Sequence, residues 1–274
     1  MRQRIFVDGI AFWSPQLPSW EHARAACNGD YRPPTTAAAR PTPTLLAPTE
    51  RRRAPDSVAV ALEVAARACE QAELDPTTLC SVFASTHGDL VVTDSVCETL
   101  AKTPLLTSPT KFHNSVHNAA AGYWTIGVQC LRPYTAVSAW HYTFAAALLE
   151  AATQAVVQQE PILYVAYDIA ARGPLGTMAQ SAGLLGTALV LAPGPSNTTI
   201  AQLDWFTRHN AALTATASDS PLTPILAGNA MHGCLPLLEA LAAGSHRNLS
   251  LAVSAQLELA LELRPHNGEN TQTP

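Results

Sequence analysis

The chain has 274 residues, of which 47% are hydrophobic and only 14% charged, with a formal net charge of −5; an average soluble domain has about 25% charged residues. That length suffices for one large domain or two small ones with a sizeable core. The charge excludes the basic face that nucleic acid requires, and no stretch reaches the roughly 18 uninterrupted apolar residues of a membrane span.

A surface so poor in charge points to a partner. The N-terminus, MRQRIFVDGI, lacks the apolar run of a secretion signal, which points to the cytoplasm. Residues 3–13, rich in branched and aromatic side chains, read as a first strand. From 28 to 55 the composition shifts to Pro, Thr, Ala and Arg, whose prolines forbid a central strand, so this segment reads as a flap without a core of its own. Asp56 then caps an amphipathic helix, SVAVALEVAARACEQAE.

The next elements alternate. CSVFAST (80–86) is a short apolar run, a helical segment follows around 90–102, and HNAAAGYWTIGVQ (117–129) is a small-residue helix. YTAVSA (134–139) is a strand that turns abruptly into a helix over 142–158, and ILYVAYD (162–168) is another strand. This alternation predicts βαβ units in a largely parallel sheet covered on both faces. GTALVLAPG (186–194) and TTIAQLDWF (198–206) read as adjacent strands joined by a Pro-Gly-Pro turn. CLPLLEALAAG (234–244) is a helix ending at glycine, NLSLAVSAQLELALEL (248–263) a strand with one covered face, and 265–274 a disordered tail.

Several residues invite chemistry. His113 and His117 stand at the i, i+4 spacing of two metal ligands on one helix face, but no carboxylate lies at a supporting interval, so capping and backbone bonding is the better reading and no metal is expected. AQSAG (179–183) partly imitates a hydrolase elbow, with Ala179 in its first position and the wrong order of elements around Ser181. Ser138, at the real strand-to-helix turn, is the better nucleophile candidate, with His87, His113, His117 and His141 as conceivable bases.

The six cysteines, Cys27, Cys69, Cys80, Cys97, Cys130 and Cys234, lack CxxC spacing and read as free buried thiols. Cys130 follows a helix rather than preceding one, so it lacks an acidifying field. Arg51, Arg52 and Arg53 read as a solvated face, or else as an anchor of the flap on carboxylates. No glycine-rich phosphate loop occurs, which argues against a nucleotide cofactor.

SPTKFHNSVHNAAAGYWTI, then YTAVSAWHYTFAAALLEAATQA and ILYVAYD, resemble the N-terminal half of β-ketoacyl synthases. In particular they resemble the short chain-length-factor-like subunits of aryl polyene pathways, a type II polyketide system. The resemblance runs from about residue 3 to 193. It implies an α/β, thiolase-like layered fold, roughly one half of a ketosynthase, with a short extra C-terminal helix-strand element. On this reading 1–264 form a single domain, in which 207–264 are an extension.

In working members the turn presents a cysteine in a T-A-C pattern. Here Thr135 and Ala136 are followed by Val137, which has no lone pair for acyl transfer. Residues 194–274 are also too short to supply the second half of the fold that carries two catalytic histidines. The resemblance therefore implies a vacated elbow at Val137 and Ser138, with no catalytic residue. It implies pairing with a full-length ketosynthase as a heterodimer, and an acyl carrier protein reached through that complex. No cofactor of its own is expected, since the phosphopantetheine arm belongs to the carrier.

By the same resemblance, Phe112, Ser115 and Val116, with the neighbouring His113, Asn114, His117 and Asn118, line the tunnel boundary. Tyr134, Thr135, Ala136 and Ala139 lie on the interface strand. The alternatives are a free-standing acyltransferase or thioesterase using Ser138, and a homodimeric docking scaffold for the carrier protein.

Overall fold

The computed structural model describes residues 2–178, 180–209 and 221–266. The chain opens with β1 (Gln3–Trp13), α1 (Trp20–Cys27), α2 (Pro48–Arg53), α3 (Asp56–Gln71) and β2 (Cys80–Ala84). Next come α4 (Leu90–Lys102), α5 (Pro109–Asn114), α6 (Ala119–Gly127), β3 (Tyr134–Val137), α7 (Thr143–Gln158), β4 (Ile162–Ile169) and β5 (Leu184–Ala192). The C-terminal part holds β6 (Ala201–His209), α8 (Thr223–Leu226), α9 (Leu235–Ala243), β7 (Arg247–Ala252) and β8 (Leu257–Pro265).

The strands among the described residues join one eight-stranded sheet in the order β3-β2-β4-β5-β1-β6-β8-β7. One face carries α1, α7 and α9 over an apolar cluster that includes Ile5, Phe12, Phe144, Leu148, Tyr164 and Leu238. The other carries α3 and α6 over Val60, Val64, Phe83, Trp124 and Val165. These are the layers expected of a thiolase-like half.

The small residues of the helices let them approach the strands closely, and two strand glycines mark where. A Cβ on Gly9 would stand 2.2 Å from the Ala68 carbonyl oxygen of α3, and one on Gly186 would stand 2.8 Å from Val60. Gly244, at φ +55°, ends α9 in the left-handed conformation that costs glycine least.

The sheet is mixed rather than largely parallel. Only β2 pairs in parallel, with β3 and β4, whereas β5 runs antiparallel to both β4 and β1. β5 and β6 are not neighbours: β1 lies between them and pairs antiparallel with each. A strand far away in sequence can fill a slot that local patterning cannot reveal. Residues 248–263 form no single strand either. They make most of the β7–β8 hairpin, turning at Val253–Gln256 with no glycine or proline to announce it.

Smaller corrections concern α3 and the flap. Asp56 is the first helical residue and not the cap; Pro55 holds the cap position, and the Asp56 carboxylate accepts from Arg40 at 2.8 Å. The flap joins the core: Leu46 is buried, Leu45 packs at the C-terminal end of α6, and a Cβ on Gly127 would lie 2.2 Å from Leu45 Cδ1. Arg51 anchors it by donating to the Leu46 and Thr44 carbonyls, while Arg53 pairs with Glu50. Of the cysteines, Cys69, Cys80, Cys130 and Cys234 are buried as expected. Cys97 is exposed on α4, and Cys27 is half-buried at the end of α1. No helix among the described residues is long and apolar enough to cross a membrane. The expected tail, 265–274, begins too early: Pro265 ends β8 and the His266 N–H donates to the Ile200 carbonyl, while the rest from residue 267 onward lies outside the described residues.

Candidate functional site

The strand-to-helix elbow is present as sequence patterning predicts. β3 ends at Val137, a short 3-10 turn covers Trp140–Tyr142, and α7 starts at Thr143. Trp140 holds a φ of +54°, a conformation that a bulky residue adopts only when its surroundings impose it. Thr143 fastens the turn: its hydroxyl donates to the Trp140 carbonyl at 2.7 Å and accepts from the Ala139 N–H at 3.0 Å. The Trp140 ring meets His87 and His141 edge-on, at centroid distances of 5.0 and 5.2 Å.

Ser138 is not armed. Its hydroxyl donates to the Thr86 carbonyl at 2.7 Å, and no histidine nitrogen bonds to it among the described residues. Val137 sits at the end of β3 opposite Ala84 and packs partly against the core. The tip of the elbow thus offers a hydrocarbon and a hydroxyl already committed as a donor. Nucleophilic catalysis needs a base in reach of the attacking atom.

Beneath the elbow lies a polar hub that sequence reasoning did not single out. Asp168, next to the last residue of β4 and almost fully buried, accepts from the Ser85 hydroxyl at 2.7 Å and from the Thr86 N–H at 3.0 Å. Burial pushes its carboxyl up to about 6, against the opposing pull of these donors. Ser85 Oγ accepts from the Gly88 N–H, and the Ser85 carbonyl takes the Nε2 proton of His117 at 2.7 Å. Asp89 caps α4 and accepts from Ser57 on α3. Asn229 donates to the Asp168 carbonyl. Loop 85–89 therefore ties β2, β4, α3, α4 and the elbow together. The one sequence signal for it is an acid closing the apolar run ILYVAYD.

The 112–118 segment is brought onto the start of β3, where Asn118 donates to the Tyr134 hydroxyl at 2.8 Å. Phe112 and Val116 are exposed, as are Leu105 and Leu106 just before them. Asn114 differs from its neighbours: it is buried, donates to the Arg53 carbonyl and accepts from Tyr123. Ser115 donates to the Phe112 carbonyl, and the His113 ring lies against Tyr123. Thr135 accepts from Gln154 on α7.

His113 and His117 do not share a helix face, because α5 ends at Asn114 and His117 lies in the turn before α6. Among the described residues no group of three or more His, Cys, Asp or Glu could hold a metal ion. Ser181 is a loop residue whose side chain accepts from the Ala230 N–H; Ala179 lies outside the described residues.

A family model described as the N-terminal domain of β-ketoacyl synthase matches residues 20–254. The chain belongs to that family. Comparison of this ketosynthase-family chain with curated proteins gives no match. Among solved structures it is similar to the ketosynthase ApeO in complex with its chain length factor ApeC from Xenorhabdus doucetiae. The identity there is 18%, over 94% of this chain and 98% of that one, with a TM-score of 0.71. It is also similar to the ishigamide ketosynthase/chain length factor, at 15% identity over 96% and 99% of the two chains and a TM-score of 0.70. A third is AntDE:AntF, a type II PKS acyl-carrier protein in complex with its ketosynthase, at 13% identity over 96% and 99% and a TM-score of 0.72. At these identities the likeness is one of fold.

Proposed function

We propose that this chain is a non-catalytic, chain-length-factor-like subunit that pairs with a complete ketosynthase and shapes the tunnel receiving its growing acyl chain. What supports the reading is the strand-to-helix elbow after β3, at whose tip the resemblance puts Val137 in the place of a working member's thiol. A Claisen condensation needs a thiolate to hold the acyl group and donors to stabilise the developing oxyanion. Neither a valine nor the donor-committed Ser138 supplies the first of these.

Two further features support pairing. β3 is an edge strand of the sheet among the described residues, with β2 on one side of it. Close to it the surface carries Phe112, Val116, Tyr134 and Trp140, exposed apolar side chains of the kind that mark a protein interface. A partner strand added to β3 would bring Phe112 and Val116 to the boundary, where their bulk would set how far a chain can extend. The carrier protein would then be met by the complex, not by this subunit alone.

The test is coexpression with complete ketosynthases encoded beside this gene. The expected result is a stable one-to-one complex whose products lengthen when Phe112 is replaced by alanine. A well-folded chain that binds none of them, and whose absence leaves condensation unchanged, overturns the reading. A self-associated species indifferent to every synthase favours the scaffold alternative.

A further inference from the structure

β1 is shared unequally by its two neighbours. β5 pairs with it up to Trp13, but β6 pairs only with Gln3–Val7. The separation begins at an irregularity between Val7 and Gly9. There the buried Asp8 carboxylate accepts from the Ser196 and Thr199 hydroxyls at 2.8 and 2.7 Å, holding the loop that leads into β6. Past this point, the side of β1 turned away from β5 has no strand beside it among the described residues.

Backbone alternation identifies the groups left along that edge. The Ile10 N–H points to it, because it donates at 2.7 Å to the side chain of Gln71 on α3 and not to a strand. Ser14 points the same way, bonding to Leu17 through both its N–H and its carbonyl. Phe12, midway between them, must present its own N–H and carbonyl on this side. Neither group has a described partner.

A cavity of about 330 Å³ borders this edge. Its floor is Ile10, Ala11 and Phe12, one wall is α3 through Glu63, Val64 and Arg67, and the other is the entry to α1 through Pro18, Trp20 and Glu21. Glu63 is already engaged by Arg67, which also bonds Glu70. The charged groups lining the cavity are thus two carboxylates, Glu21 and Glu63, and one guanidinium, Arg67; Glu21 is also bonded by Ser19 and lies near His22, and each carboxylate keeps lone pairs for further donors.

We propose that this slot binds a short extended peptide segment bearing basic side chains, whose main chain bonds to Phe12 in the gap between the Gln71 contact at Ile10 and the Leu17 contact at Ser14. Main-chain bonding to Phe12 supplies the alignment, and Glu21 and Glu63 select lysine or arginine. The slot is separated from β3 by β2, β4 and β5, so it is independent of the proposed synthase pairing.

The test uses the full chain and a fluorescently tagged hexapeptide, Thr-Val-Lys-Val-Lys-Thr, blocked at both ends. The expected result is saturable binding that weakens with salt and slows hydrogen exchange at the Phe12 amide. Replacing both lysines by glutamate, or making the Glu21→Gln/Glu63→Gln variant, should weaken binding about tenfold or more. Of two peptides N-methylated at alternate residues, the one whose edge-facing amides are blocked should fail to bind. No saturable binding at millimolar peptide overturns the proposal. So does binding that leaves Phe12 exchange unchanged, ignores the charge changes, or survives both methylation patterns.

Discussion

The Ser138 hydroxyl donates to the carbonyl of Thr86, 52 residues earlier, at 2.7 Å. This bond pins the elbow to the loop after β2 and commits the one proton that a serine nucleophile would have to surrender. Ser138→Ala should therefore cost about 1 kcal/mol of stability and leave any synthase complex with unchanged turnover. The wild-type chain should take up no label from an activated serine reagent. Labelling abolished by the substitution would restore the acyltransferase reading.

Asp168 makes stability depend on pH in an unusual direction. Its carboxyl is raised from the ordinary 3.8 to about 6 by burial, so the folded chain binds this proton more tightly than the unfolded chain does. On this group's account stability is greatest below the ordinary value and falls as pH rises through about 6, by on the order of 3 kcal/mol. Asp168→Asn should flatten that slope in urea titrations between pH 4 and 7.

Glu262 acts in the opposite sense. Held down to about 2, chiefly by Arg264 and then by His246, it contributes stability present above the ordinary carboxylate range and lost as pH falls toward 2. Glu262→Gln should remove only the acid-side loss, leaving the slope between about pH 5 and 7 intact, which separates the two effects.

Ala136→Pro tests the edge of β3. The Pro133 and Val137 carbonyls accept from β2, so by alternation the Ala136 N–H points outward, where proline is tolerated. Circular dichroism should remain that of the folded chain, while copurification with a synthase should be lost. Retained copurification would mean that pairing does not use this strand.

Two backbone positions predict shifts of opposite sign. Gly9→Ala drives a methyl group into the Ala68 carbonyl and should destabilise the chain by about 2 kcal/mol or more. Gln159→Gly, at the left-handed C-cap of α7 with φ +56°, should stabilise it by about 0.5 kcal/mol even after losing the side-chain bond to Val156. Urea midpoints of the two variants check both.

What could be read from sequence was whatever is encoded locally. α3, α4, α7 and α9 follow from apolar spacing, and the elbow from a β-branched run followed by a small-residue helix. α1 and α5 escaped notice although Ser19 caps the first, and Ser108 followed by Pro109 opens the second, both readable start signals. The place of β1 between β5 and β6 was not legible, because which strands become neighbours is settled by packing across the whole chain. The same holds for the hub around Asp168, whose members, Ser57, Ser85, Asp89 and Asn229, are scattered along the chain and meet only after folding. Of the residues that the resemblance assigns to the tunnel boundary, Phe112 and Val116 are exposed and Asn114 is taken up by internal bonds.

The two ends of the sheet differ in how they meet solvent. At one end β7 holds Arg247, Asn248 and Ser250 exposed, polar guards that discourage a further strand. At the other, four-residue β3 is bordered by the exposed Tyr134 and Trp140 side chains. A ribbon that is sticky at one end and protected at the other can join a second ribbon once, after which growth stops: the arrangement permits a closed pair and works against fibres.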